Sequence, residues 1–238
     1  MNPHGRHGPA GASPAGLGRL GQVVRAGATT HAVTSPDEES DDAPGAAPAA
    51  ATQACDMCAA PITEPHQHVV DVQSRSLRCT CRPCWLLFTD AGAGRYQAVG
   101  EAVGRLDLDL PAGTWARLDV PVGLLFVMQA SGVEGPAAFY PSPAGATESA
   151  LDLSAWAEVR AADPAVAAAR PDVEAVLLDG RDAHGPIPAW VVPIDRCYEL
   201  VGLVRSHWRG FDGGTAAHAA IGTFLADLDE RASARAVG

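Results

Sequence analysis

The sequence predicts an α+β chain in three parts. A disordered N-terminal tail covers residues 1–51, a small cysteine-rich module covers 52–92, and a mixed α+β domain over 93–238 ends in two helices. Three observations predict this. Five of the six cysteines fall between Cys55 and Cys84. Beyond them, strand-length apolar runs such as VGLLFVM at 122–128 alternate with helix-patterned segments. The first 51 residues are rich in Gly, Ala, Pro and Ser and carry the acidic run PDEESDD at 36–42. Such a segment buries too little apolar surface to offset its ordering entropy.

The module opens on ACDMCAAPI at 54–62, a CxxC turn. HQHVVDVQ at 66–73 and RSLRCT at 75–80 read as two short strands joined by a turn. CRPCWLLFTD at 81–90 reads as a second CxxC turn running into a short helix. One CxxC on a turn and another at a helix start is the element order of zinc-ribbon and treble-clef modules. The helix start is expected to favour the thiolate form of Cys84. A unit this small has little core of its own, so a metal would contribute folding energy directly.

The larger region follows. RYQAV at 95–99 reads as a strand, and TWARLDVPVG at 114–123, LLFVMQA at 124–130 and PAAFYPSP at 136–143 as three more, the last ended by proline and AGA. LDLSAWAEVRAA at 151–162 reads as a helix capped by Asp152 or Ser154, and DPAVAAAR at 163–170 as a short helix after an Asp163 cap. VEAVLLDG at 173–180 and AWVVPID at 189–195 pair as strands around RDAHGPIP. Asp195 then caps a helix with Cys197, Leu200, Val201, Val204 and Trp208 on one stripe. RGFDGG at 209–214 ends it, and a last helix over 214–229 places Ile221, Phe224, Leu225 and Leu228 on one face.

Composition removes several function classes. All seventeen basic residues are arginine, which excludes a lysine Schiff base and the lysine of a phosphate-binding loop. A net charge of −11 argues against nucleic acid as a partner, although Arg75, Arg78 and Arg82 cluster in the module. No segment is long and apolar enough to span a bilayer, and the N-terminus lacks the apolar stretch of a signal peptide. The expected place of work is therefore the cytoplasm, where paired cysteines read as metal ligands rather than disulfides. Neither GxSxG nor HExxH occurs.

Cys55, Cys58, Cys81 and Cys84 form the predicted metal site. Zinc is the expected ion, because four sulfurs on two turns suit an ion with no geometric preference. An iron–sulfur cluster is the alternative, with Cys79 as a spare thiolate. Cys79 could instead sit beside the metal. His66 and His68 share one strand face and could serve as ligands or ligand partners, against the simpler reading that they are polar residues on an exposed face. A closed site with four cysteines has no open position for substrate, which favours structure over catalysis. Cys197 reads as a buried apolar residue. His184, Asp195 and Arg209 are the candidates for an enzymatic site in the larger region.

The order CxxC, CxCxxC, FYPSPAGATES at 139–149, DVEAVLL at 172–178 and VPIDRCYELVGLVRSHWRGFDGG at 192–214 resembles an actinobacterial family of unknown function. Its genes are typically found beside those of nickel–iron hydrogenases and their maturation factors. The resemblance covers about residues 53–229 and implies a role in assembling, maturing or supporting a hydrogenase. It implies as partner a hydrogenase subunit or maturation factor, and Asp195, Arg205, Trp208 and Arg209 as candidate interaction residues. An iron–sulfur electron-transfer protein serving the same hydrogenase is the alternative.

Overall fold

In the computed structural model, residues 53–90, 94–182, 184–210 and 212–236 are described. The expected tail over 1–51 lies outside them. Among the described residues the fold is α+β, with a six-stranded sheet, a three-stranded sheet and a two-stranded hairpin.

The hairpin pairs β1 (Gln53–Ala54) with β2 (Pro61–Ile62) around the first CxxC turn. The three-stranded sheet has β3 (Gln67–Asp71) between β4 (Ser76–Thr80) and β5 (Tyr96–Ala98), all antiparallel. Helix α1 (Arg82–Leu86) starts at the second CxxC turn, with Cys81 at its N-cap and Pro83 in its first turn.

The six-stranded sheet runs β6-β11-β10-β7-β8-β9 and is antiparallel throughout. Its strands are β6 (Gly104–Leu108), β7 (Leu124–Gln129), β8 (Pro136–Ser142), β9 (Gly145–Ser149), β10 (Glu174–Asp179) and β11 (Ile187–Pro193). Helices α5 (Ile194–His207) and α6 (Gly214–Ala236) cover one face. Helices α2 (Thr114–Arg117), α3 (Leu153–Ala162) and α4 (Pro164–Ala168) cover the other. The central strands are continuous apolar runs because alternate residues enter different cores: Leu124 and Phe126 face α5 and α6, whereas Leu125 and Val127 face α3 and α4.

Two expectations need correction, and strand β9 was not anticipated. TWAR at 114–117 is helical, not a strand, because Gly113 turns the chain through φ +84° into a helical turn closed by Leu118. The strand PAAFYPSP does end before Pro143 and AGA, but Ser142 pairs with Gly145 across a tight turn and GATES forms a further strand, β9. Asp195 does not cap α5. Strand β11 passes directly into the helix through Pro193, the N-cap, and Asp195 lies in the first turn with its carboxylate directed elsewhere. The caps at Asp152 and Asp163 are present, each carboxylate accepting backbone N–H groups.

The smaller sheet shares the larger core. Val70, Val99 and Val103 pack in one cluster with Ile194, Leu200, Val201 and Phe224. On β3, His68 and Val70 point to the same side, so a residue of the site and a residue of the core follow each other along one face of the strand.

Candidate metal centre

Cys55 and Cys58 lie on the β1–β2 turn. Its geometry is held by the Cys55 N–H bonded to Ala60 O and the Ala59 N–H bonded to Cys55 O, both at 2.8 Å. Cys81 and Cys84 open α1. The turns are locked to each other by a reciprocal pair: Asp56 N–H donates to Cys79 O, and Cys79 N–H donates to the Asp56 carboxylate, both at 2.8 Å.

This frame brings the sulfurs of Cys55, Cys58, Cys81 and Cys84 within 4.8 Å of one another. Cys58 and Cys81 are 3.7 Å apart, close to the ~3.8 Å that two sulfurs on one tetrahedral zinc require. Cys55 is buried and Cys58 is exposed, so the group sits at the edge of the module.

The sulfurs perturb each other strongly. Burial opposes ionisation of Cys55, but backbone hydrogen bonds from Cys81, Met57 and Cys58 outweigh it and hold its pKa at about 6. The neighbouring Cys58 thiol, then burial, then Cys81 and Cys55 push Cys84 up to about 12. The helix start expected to favour the Cys84 thiolate is outweighed, because α1 is one short turn and like charges crowd the site. Four thiolates this close repel unless a cation joins them. The donor set therefore fits a thiophilic dication.

Cys79 does not join this group. It clusters with His66 and His68, the three ligand atoms lying within 4.8 Å of one another. The hairpin face expected to be exposed is largely covered: the side chains of His66 and His68 are 6% and 21% exposed. The reason is α5, whose Asp195 Oδ2 lies 2.9 Å from His68 Nδ1. Burial works against a charged His68, but Asp195 and then Cys79 raise its pKa to about 9. The spacing His66-x-His68 signalled a shared face; the partner 127 positions away carried no local signal.

The remaining predicted residues are dispersed. Arg205 and Arg209 are exposed. Trp208 packs against the core and donates its indole N–H to Gly210 O at 3.1 Å. Cys197 is fully buried, which pushes its thiol far up. His184 is exposed in the β10–β11 turn. The pockets beside Tyr198 and beside Trp208 are lined by none of His184, Asp195 and Arg209. Among the described residues, no helix is long and apolar enough to cross a membrane.

No curated protein and no solved structure matches the chain. A family model does, over residues 54–232, which take in both cysteine turns, both sheets and nearly all of the C-terminal helix. The chain thus belongs to DUF5947, a family of unknown function.

Proposed function

We propose that this protein is a zinc-stabilised accessory or interaction protein of a nickel–iron hydrogenase system, acting in assembly or maturation in the cytoplasm. The observation that carries the metal assignment is the convergence of four cysteine sulfurs from two locked turns. The order of turn, hairpin and helix start is that of a treble clef, in which zinc is structural. A closed set of four cysteines holds a fold and leaves no position for substrate.

Two further features support a protein partner. Leu86 and Leu87, at the end of α1 beside the cysteines, are 52% and 72% exposed. Arg82 stacks over the Trp85 ring next to them, a pairing of arginine and aromatic that suits recognition surfaces. The hydrogenase assignment rests on the resemblance carried by CxxC, CxCxxC and the motif at 192–214.

Metal content is the first test. Protein purified without oxygen is assayed for zinc, iron, nickel and acid-labile sulfide, with an absorption spectrum. Colourless, zinc-loaded protein that releases zinc in Cys84→Ser supports the reading. Iron with matching sulfide and a visible band replaces it with electron transfer. Affinity capture of the zinc-loaded protein in cells expressing a nickel–iron hydrogenase is expected to retain a hydrogenase subunit or maturation factor. Loss of that capture in a Leu86→Asp/Leu87→Asp variant would assign the docking surface.

A further inference from the structure

We propose that the protein holds a second transition-metal ion, bound by His66, His68 and Cys79, with a fourth position open to an exchangeable ligand. The site is separate from the four-cysteine centre and does not depend on the hydrogenase assignment.

His68 lies directly opposite Cys79 in the β3–β4 register, and Val70 lies opposite Leu77. His66 precedes His68 by two residues and continues the same side. The face turned toward α5 therefore has an apolar half, Val70 and Leu77, and a donor half, His66, His68 and Cys79. The apolar half packs into the core with Ile194. The donor half meets Asp195, the next residue of α5.

Of these three groups, His66 is the one without a hydrogen-bond partner. Both ring nitrogens of His66 are buried with no hydrogen bond. Glu64 Oε2 comes within 3.3 Å of Nδ1 without hydrogen-bond geometry and is itself 80% exposed. A buried imidazole with two unsatisfied nitrogens loses its hydration with no return. An ion joining one His66 nitrogen to Cys79 Sγ and His68 Nε2 supplies the missing partner.

The surroundings resemble those of a ligand set. Asp195 Oδ2 at 2.9 Å from His68 Nδ1 accepts the Nδ1 proton, so an ion binding this ring displaces the other proton and takes Nε2. Gln53 Nε2 donates to Cys79 Sγ at 3.0 Å, a bond that a metal-bound thiolate retains. The His66 and His68 rings are 4.8 Å apart and tilted by 58°, so they do not stack and can turn their nitrogens to one point. Tetrahedral bonds of about 2.0–2.3 Å separate ligand atoms by about 3.5 Å. The present span is 4.8 Å or less, so binding an ion draws these atoms together by about 1 Å.

Two nitrogens and one sulfur select a borderline ion such as Zn²⁺, Co²⁺, Ni²⁺ or copper over Mg²⁺ or Ca²⁺. Three protein ligands leave a position for water or for a donor from another molecule. That is the arrangement of a site that does chemistry or passes its metal on, in contrast to the closed neighbour.

The test uses the full chain and zinc alone, then cobalt(II) added to protein already holding its four-cysteine zinc. Two zinc ions per chain are expected in the wild type, and one in Cys79→Ser and in His66→Ala. Cobalt is expected to give a sulfur-to-metal band in the wild type that azide shifts and that Cys79→Ser lacks. Asp195→Asn keeps a hydrogen-bonding side chain and is expected to weaken only the second ion, by about 10–100-fold. It remains informative if the cysteine or histidine variants misfold. Cys84→Ser judges the four-cysteine centre separately, by loss of the other equivalent. One zinc per chain in wild type and variants alike, with no cobalt band, overturns the proposal. So does rapid alkylation of Cys79 at neutral pH that requires His68 and is indifferent to zinc, which would identify a thiolate–imidazolium pair in place of a metal site.

Discussion

Asp71 has no exposed surface and yet carries a charge, which makes it a sensitive point of the smaller sheet. The Arg95 guanidinium spans both carboxylate oxygens, and the backbone N–H groups of Gln73 and Ser74 add two more bonds. Arg95, against the opposing effect of burial, holds the carboxyl far below the usual carboxylate range. A depressed pKa means that the contribution is fully present above the unfolded value of about 3.9 and fades as pH falls below it. Asp71→Asn is expected to cost about 2 kcal/mol near neutral pH, because Arg95 is half exposed and recovers water. The gap between variant and wild type in urea midpoint should narrow steadily as pH falls from about 4 to about 2. An unchanged gap at low pH would show that Asp71 acts by packing instead. At this scale the sequence is legible where constraints are local. CxxC spacing alone delivers Cys55 with Cys58 and Cys81 with Cys84, whereas Asp195 beside His68 depends on how α5 crosses the hairpin, which no nearby residue encodes.

Glycine placement separates the two C-terminal helices and gives an element-scale prediction. Gly213 has φ +88°, and a Cβ there would come within 2.9 Å of the Trp208 ring. Arg209 and Gly213 form a bridge that closes the connection between α5 and α6. Gly213→Ala should therefore cost about 1–3 kcal/mol and disturb Trp208. Gly222, exposed inside α6 with nothing within 4 Å of an added Cβ, should do the opposite. Gly222→Ala is expected to gain about 0.5–1 kcal/mol. Urea midpoints for both variants check the pair, and equal signs would refute the account. The same contrast explains which elements could be foreseen. α3, α5 and α6 carry caps or long apolar stripes, so their sequences specify them. β6 reads GRLDL, only partly apolar and an edge strand, and it gains its place only by pairing with β11. TWAR is equally suited to strand and helix by composition. The left-handed Gly113, and the Thr114 hydroxyl bonded to Glu158, decide for helix.

At the scale of the described molecule, the four-cysteine cluster and the large core are coupled through a few residues. The four cysteines bring the β1–β2 turn beside α1, and Asp56 ties that turn to β4 at Cys79. Through β3 the same frame presents Val70 to the core of α5 and α6, while Trp85 of α1 donates its indole N–H to Val99 O at 2.8 Å. If an ion joins the four sulfurs as proposed, its removal leaves α1 without that link to the β1–β2 turn, and Val70, Val99 and Val103 lose the frame that holds them against Ile194 and Leu200. Chelation should therefore lower the thermal midpoint of the entire chain in one transition and raise amide exchange along Ile194–His207 as well as along the hairpin. A module held by metal alone, without this packing, would behave otherwise: the hairpin would exchange freely after chelation while α5 kept its full protection. Hydrogen exchange followed by mass spectrometry distinguishes the outcomes. Protection of α5 that survives zinc removal would mean that the metal stabilises only its own turns, and that the core needs no more than β3 packing to stay intact.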